Sequence, residues 1–442
     1  MDLAPAAPGL ADVTHAAHHP RVFLHDPALT LDPGFLQHSP QLRNFHLERA
    51  LWLAEPDDLV VVTAAVDAEY LTWMRGFGQS PQTCIVPAYE GCLSTATLQS
   101  EFVLARMRSW YDSLEPHAGA ELSLFCHNEH TARFVDQLSR QLPGFKVSLG
   151  NVDFAQASNT KAFLRTAYAD LNIPLIPGTV VSGFESRQER NQRLAAAVDE
   201  YAATSGRAVV KANYASAGQG VLVTSPDESV VLQQWLENWP DEQVFLVEEF
   251  VPFESSPNLQ FWLSDSGQTH YLGCTDQVFA KGLEHTGNGW PAAGLESHEL
   301  FPVARRVAQR AADGGIRGVL GLDFLVLPDK SVRLVEINAR YNGSTYALAI
   351  AHRINRARSA VGLPTLPCGL MRGFACDALS GFEALMEKTA DLVVDPAAER
   401  AGVVPYVPGA LAGGHCYVVT LGHTQEEAAA LEEEFMRRIG GG

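Results

Sequence analysis

Three oxygen-bearing side chains cluster along the sequence near residue 330. Asp323 sits in the run Gly-Leu-Asp-Phe-Leu-Val, and Glu336 and Asn338 sit in Leu-Val-Glu-Ile-Asn-Ala-Arg340. If the two runs are strands of one hairpin, Asp323 and Glu336 come to lie opposite each other. Alternation then puts Glu336 and Asn338 on one face. Carboxylate and amide oxygens without His or Cys suit a hard divalent cation such as Mg²⁺, which completes its shell with phosphates and water. The plain alternative is a solvated face carrying ordinary charges, and the apolar residues flanking both runs argue against it. A second constellation lies upstream, in Val210-Lys211-Ala-Asn-Tyr-Ala-Ser216-Ala-Gly218-Gln-Gly220-Val. A lysine ending a strand, followed by a loop of small residues, suits a triphosphate. The ammonium offsets phosphate charge, and backbone N–H groups can come close. An ordinary Gly-rich hairpin fits the same residues, and the loop is no Walker motif, since no Gly-Lys-Ser/Thr opens a helix.

The elements that must position these groups can be read from the pattern. Short β-branched runs, Leu59-Val-Val-Val and Glu121-Leu-Ser-Leu-Phe-Cys126, alternate with an amphipathic stretch over 128–142. This predicts an α/β domain with a largely parallel sheet. From Asn159 the texture changes. A helix over 161–171 and a polar helix over 187–204 precede strand-like blocks at 208–211, 220–223 and 244–247. The stretch 321–337 reads as a hairpin turning at Pro328-Asp-Lys-Ser. The end reads as a small α+β segment whose last helix runs from Glu426-Glu427 to Arg437-Arg438, the charge order its dipole favours.

Composition bounds the rest. A chain of 442 residues, 46% of them hydrophobic, is long enough for roughly two to three domains. Acidic residues outnumber basic ones, 51 to 32, for a formal charge of −19. Such a surface repels a phosphodiester backbone, so no nucleic-acid partner is expected. No early apolar stretch approaches the about 20 residues that span a bilayer, and the first twenty residues contain neither Lys nor Arg. No secretory signal and no membrane association are therefore expected. Seven scattered cysteines without a CxxC pair suit reduced thiols in a cytoplasm. Cys126-His127-Asn-Glu-His130 reads as a strand-to-helix turn rather than a metal site, and His15, His18 and His19 read as solvated. Asp276, Gln277, Lys281 and Asn288 bracket a Gly-rich stretch that suits a substrate loop or a plain surface loop equally. Gly440-Gly-Gly reads as a frayed end.

The order Lys161, Lys211 with its glycine loop, Glu248-Glu249-Phe-Val251, Asp323, Glu336-x-Asn338-x-Arg340 resembles the ATP-grasp superfamily over roughly residues 156–365. The thirteen-residue step from Asp323 to Glu336 is the most specific part. The segment 1–155 and a tail over 366–442, with Pro405-Tyr-Val-Pro-Gly-Ala and Gly413-Gly-His-Cys416, are similar to a narrower group. That group is the peptide ligases with a pre-ATP-grasp domain, of the kind acting in pheganomycin biosynthesis. The resemblance implies a pre-ATP-grasp α/β domain, an ATP-grasp fold of two α+β subdomains and a C-terminal α+β segment. It implies ATP and two Mg²⁺ ions as cofactors. Lys161 and Lys211 would meet the α- and β-phosphates, and Ser216, Gly218 and Gly220 would close over the β/γ end. Glu248, Glu249 and Val251 would receive adenine, and Glu254 would reach the ribose. Asp323, Glu336 and Asn338 would hold the metal ions, while Arg340 would face the transferred phosphoryl group. Ser344, Thr345 and Gln277 are candidates for substrate. Some members carry Arg two residues before the first metal Asp, where this chain has Gly321, so Arg340 or Arg317 would supply that charge. The implied activity is ligation of a small-molecule carboxylate to an amine or peptide through an acyl phosphate, releasing ADP and phosphate. A kinase or a non-catalytic nucleotide-binding scaffold are the alternatives. A homodimer through the N-terminal domain is the expectation by analogy.

Overall fold

A computed structural model of the protein describes residues 19–27, 46–86, 92–114, 119–214, 220–279 and 285–441. The first sheet contains β1 (Arg21–Leu24), β2 (Leu59–Val62), β3 (Gln82–Ile85), β4 (Ala120–Leu124) and β5 (Phe145–Lys146), in the order β3-β2-β1-β4-β5 and all parallel. Leu59-Val-Val-Val is buried throughout because helices cover a parallel sheet on both faces. Those helices include α1 (Ala68–Arg75), α2 (Leu93–Gln99), α3 (Glu101–Asp112) and α4 (Glu129–Gln141). Asn128 caps α4 through a reciprocal bond with Thr131. The expected strand-to-helix turn between Cys126 and His130 is therefore present.

Two short helices, α5 (Val152–Ser158) and α6 (Lys161–Ala167), lead into a small antiparallel sheet. It contains β6 (Gly178–Val181), β7 (Ala208–Ala212), β8 (Val221–Thr224) and β9 (Phe245–Glu249), in the order β6-β9-β7-β8. Helices α7 (Arg187–Tyr201) and α8 (Ser229–Leu236) bury Leu194, Val198 and Leu232 against Val210, Phe245 and Val247 of this sheet.

The largest sheet has eight strands. Its members are β10 (Pro257–Leu263), β11 (Thr269–Phe279), β12 (His285–Trp290), β13 (Gly318–Val326), β14 (Val332–Asn338), β15 (Cys368–Ala375), β16 (Gly402–Pro405) and β17 (His415–Gly422). The order is β14-β13-β10-β11-β12-β15-β17-β16, with every neighbouring pair antiparallel. Helix α9 (Leu300–Asp313) lays Val303, Ala304, Val307, Ala308 and Ala311 on one face of its first half. Helix α10 (Gly343–Ala360) lies in a second core. That core joins Phe23, Trp52 and Tyr70 from the start of the chain to Val403, Val418 and Phe435 from its end. Helices α11 (Phe382–Thr389) and α12 (Gln425–Arg438) complete the fold. The last 75 or so residues thus extend the same sheet that carries Asp323, rather than forming a free-standing unit. Among the described residues no helix is long and apolar enough to cross a membrane.

One polar contact fastens the first sheet's domain to α10. Buried Arg353 donates to the carbonyls of Trp52 (3.1 Å), Leu53 (3.3 Å) and Ala54 (3.0 Å) and pairs with Glu55 at 3.0 Å. Those carbonyls end a 3-10 turn and have no room for bulk water. Arg353→Leu should therefore cost about 3–5 kcal/mol, the range for removing one partner of a buried charge network. Urea unfolding measures it, and a loss below about 1 kcal/mol would show that the guanidinium is not holding the interface.

Candidate active site

The expected hairpin forms with Asp323 directly opposite Glu336 and Gly321 opposite Asn338. Simple alternation does not explain this arrangement. In β14 the core face carries Val332 and Leu334, yet further along it carries Ile337 and Ala339. A bulge opposite the Asp323–Phe324 step inserts one residue between these two runs. The phase change turns Glu336 and Asn338 away from the core, beside Asp323, while Leu334 stays under α9. The adjacent apolar pair Leu334-Val335 is the trace it leaves in the sequence.

The register extends the site across the sheet. Asp323 is opposite Asn258 of β10, and Asn258 is opposite Thr275 of β11. Glu336, Asp323, Asn258 and Thr275 therefore form one cross-strand row. The Asp323 carboxylate accepts hydrogen bonds from Asn258 Nδ2 and, at 3.0 Å, from Asn338 Nδ2. Arg340 donates to Asn338 Oδ1 and, at 3.1 Å, to Asn159 Oδ1. Burial, followed by the Glu336 charge, pushes the Asp323 carboxyl well above the usual carboxylate range, against the opposing pull of Asn258 and Arg340. Two facing acids, with Asp323 hard to ionise, make a donor set that a hard cation would stabilise.

Positive charge enters through α6, whose Lys161 and Arg165 share one helix face at i,i+4 spacing. Lys161 Nζ lies 3.4 Å from Glu336 Oε1. Arg165 pairs with Glu248 of β9, and the same carboxylate holds Lys211 Nζ at 2.5 Å. Asn213, two residues after Lys211, accepts the Lys161 N–H at 3.4 Å and the Ala162 N–H at 2.8 Å. One short helix therefore bridges the carboxylate hairpin to the small sheet, with both lysines buried at the junction. Gly220 directly precedes β8, and the N–H of Ala212 donates to its carbonyl at 2.8 Å. Ser216 and Gly218 lie outside the described residues, as do His15, His18 and Lys281.

Several candidates occupy different surroundings from those expected. Arg317 stands before β13, six residues from Asp323 or about 20 Å along a strand. Its guanidinium donates to the carbonyls of Ala312 and Ile316 at the end of α9. It therefore cannot replace a charge at position 321. The Glu248 side chain is committed to two cations, and the Glu249 N–H donates to Pro177 at 2.9 Å because β9 is flanked on both sides. Neither group is open to a base edge; Val251 lies just past the strand end. Glu254 is half-exposed and paired with Lys330 at 2.5 Å, beside the turn of the hairpin. Ser344 Oγ is 2.8 Å from Thr275 Oγ1, and Thr345 Oγ1 donates to Gln260 Oε1 at 2.7 Å. Both hydroxyls are buried, so they hold the start of α10 rather than facing a ligand. Gln277 sits opposite Asn288 in the ladder.

Asn258, Gln260 and Asn342 carry no signal in the sequence motifs, yet they fill the space before Gly321. A Cβ at 321 would crowd Asn342 Nδ2 and stand 2.8 Å from Gln260 Nε2. The available clue is the pattern Pro-Asn258-Leu-Gln260-Phe, in which polar groups alternate with apolar ones on one strand face.

Residues 200–338 match the family described as L-aspartate–L-methionine ligase, ATP grasp, and residues 47–139 match the pre-ATP-grasp domain. The L-propargylglycine–L-glutamate ligase of Streptantibioticus cattleyicolor is 30% identical over 133 residues, or 30% of this chain. The match spans only 26% of that protein's length. An N5-carboxyaminoimidazole ribonucleotide synthetase solved with ADP superposes with a TM-score of 0.56 at 14% identity, covering 95% of this chain and 97% of that one. A biotin carboxylase from Campylobacter jejuni gives a TM-score of 0.57 at 14% identity, covering 97% and 93%. These two likenesses show the fold. The two domain matches lie in sequence order on that fold, so the chain has an ATP-grasp fold in which a segment similar to a pre-ATP-grasp domain precedes one similar to an ATP-grasp ligase family.

Proposed function

We propose that the protein is an ATP-dependent carboxylate–amine ligase that joins small-molecule amino acids or peptides through an acyl phosphate. The observation that carries this reading is the charge pattern at the lobe junction. Two facing carboxylates, Asp323 and Glu336, lie on one lobe, and Lys211 lies on the other, with α6 linking them. The name of the Streptantibioticus relative supports the substrate class. The matched family's description does so too.

In this reading Asp323, Glu336 and Asn338 hold Mg²⁺, which neutralises triphosphate charge and polarises the terminal phosphoryl group. Lys161 and Lys211 take the phosphates by leaving part of their present pairing with Glu336 and Glu248. Arg340 draws the substrate carboxylate toward the γ-phosphate, two anions that otherwise repel each other. An amine cannot expel oxide from a carboxylate, so phosphate is made the leaving group first. The amine then forms the C–N bond as the C–O bond to phosphate breaks. The seven unpaired thiols are in keeping with a cytoplasmic setting.

Three measurements test this. With an amino-acid panel and hydroxylamine present, turnover should yield ADP, phosphate and a hydroxamate in equal amounts. Pyrophosphate as the stoichiometric product would sink the acyl-phosphate reading, and ADP formation without any amine dependence would favour a kinase. Glu336→Ala should keep its fold and lower kcat by about two to three orders of magnitude, the loss typical of a preorganised electrostatic group. Near-normal turnover of that variant would move the metal site elsewhere. Lys211→Ala should raise KM for ATP at least about tenfold, because the ammonium serves bound triphosphate in ground and transition states alike. Unchanged nucleotide titration would return 211–220 to the plain hairpin reading.

A further inference from the structure

In a chain with 51 acidic residues and 32 basic ones, an arginine left without an anion calls for an explanation. Arg49, on the 3-10 turn His46–Trp52, is such a residue. Among the described residues its guanidinium makes no hydrogen bond and no ion pair, and its Nε is enclosed without a partner. Glu48 beside it turns elsewhere, its carboxylate accepting the Gly409 N–H at 2.9 Å. Buried Arg358, by contrast, is satisfied by the carbonyls of Pro364 (2.9 Å), Ala398 (3.0 Å) and Glu399 (2.7 Å). What surrounds Arg49 is aromatic. Its guanidinium carbon lies 5.6 Å from the centre of the Tyr346 ring and 5.9 Å from that of Tyr417. His46 Nε2 stands 3.2 Å from Tyr417 Oη. Burial, followed by the Arg49 and His415 charges, holds the His46 imidazole well below its usual range, so it stays neutral.

Rings on its faces hold a guanidinium in place while its N–H edge stays available for a forked bond to a carboxylate. Arg49, His46 and Tyr417 are all partly open to solvent, and Gly373, opposite Tyr417 in the ladder of β15 and β17, is exposed. The cluster also stands close to the metal candidates. Tyr346 belongs to the first turn of α10, about 6 Å along the axis from the capping Asn342. Asn342 Oδ1 accepts Gln260 Nε2 at 3.1 Å, Gln260 donates to Asn258, and Asn258 donates to Asp323. Three amides therefore join Asp323 to the helix end that Arg49 meets, and Arg340 lies two residues before that cap.

We propose that Arg49 anchors the carboxylate that an amino-acid or short-peptide acceptor keeps through the reaction. The inference rests on the ligase reading. In that reading the donor acid presents its carboxylate to Arg340 and gives it up to the new amide. The acceptor brings an amine and retains an anion, which must be held without taking part. Arg49 is a cation with no other anion among the described residues, on a first-domain turn packed against the start of α10. A neutral amide would gain less from the guanidinium and an ammonium would be repelled, so the same contact sets a preference for acceptors ending in a carboxylate.

The test compares amino-acid acceptors with their carboxamides, which keep the reacting amine. The unaltered protein should prefer the acid by about 10- to 100-fold in kcat/KM, the worth of a charge-assisted hydrogen bond. Arg49→Gln should make the two acceptors nearly equal, mainly by raising KM for the acid. Hydroxamate formed from the donor acid and hydroxylamine should stay near normal, since no acceptor carboxylate takes part. Arg49→Lys keeps the charge without the fork, so it should show an intermediate preference, and it decides the matter if the glutamine variant does not fold. Thermal midpoints measured alongside separate lost recognition from lost structure. The assignment is overturned if the unaltered protein shows no preference, if the preference survives in Arg49→Gln, or if hydroxamate formation falls in parallel. If the unaltered protein makes no hydroxamate from any acid, the ligase reading fails first and takes this inference with it.

Discussion

Asp323 and Glu336 face each other across a hairpin, and directly opposed residues hold their Cβ atoms about 5 Å apart. At that separation two unit charges repel by about 3 kcal/mol for an effective dielectric near 20. A fold does not place two acids there without compensation, and much of the surrounding architecture supplies it. Asn258 and Asn338 donate to Asp323, Lys161 stands against Glu336, and Arg340 approaches through Asn338. The remaining deficit leaves the Asp323 carboxyl hard to ionise, which a bound cation would reverse. A cation bound there would therefore add stability that the protein's own contacts do not supply.

The compensation also ties the two lobes together. Lys161 and Arg165 lie on one face of α6, so fixing that helix against Glu336 also fixes it against Glu248. Glu248 then holds Lys211, which would otherwise sit near Arg165 with like charge unopposed. A triphosphate entering between the lobes would compete with both carboxylates for the same cations. The displaced carboxylates would stay in the junction, so an entering triphosphate adds negative charge that an accompanying divalent cation would have to offset.

Much of this was legible because strands and charges leave regular traces. The hairpin at 318–338, the lysine ending β7 and the alternation of strands and helices before residue 150 follow from residue type and spacing alone. What escaped were features that depend on tertiary register. The bulge in β14 shifts side-chain phase by one residue, which plain alternation misassigns for Val332 and Leu334. Arg317 looks close to Asp323 in sequence, yet an extended strand separates them by most of its length. Ser344 and Thr345 look like anion donors at a helix start, but buried partners from β10 and β11 take up their hydroxyls. For Ser344 and Thr345 the deciding neighbours come from 69 and 85 residues away in sequence.

Gly321 brings these threads together. A side chain there would collide with amides from β10 and from the cap of α10. The glycine is therefore coupled to Asn258, Gln260 and Asn342, and no one of these positions can change freely. Amides can donate and accept without adding charge, so they satisfy Asp323 and the start of α10 while leaving the local charge negative. Positive charge is displaced to Arg340, one strand away, and Arg340 is held by Asn159 and by pairing with Cys126 of the first domain. The consequence is architectural. With no cation at position 321, the arginine that remains beside the metal candidates is tied by a backbone bridge to Cys126, so the first domain adjoins the candidate site directly.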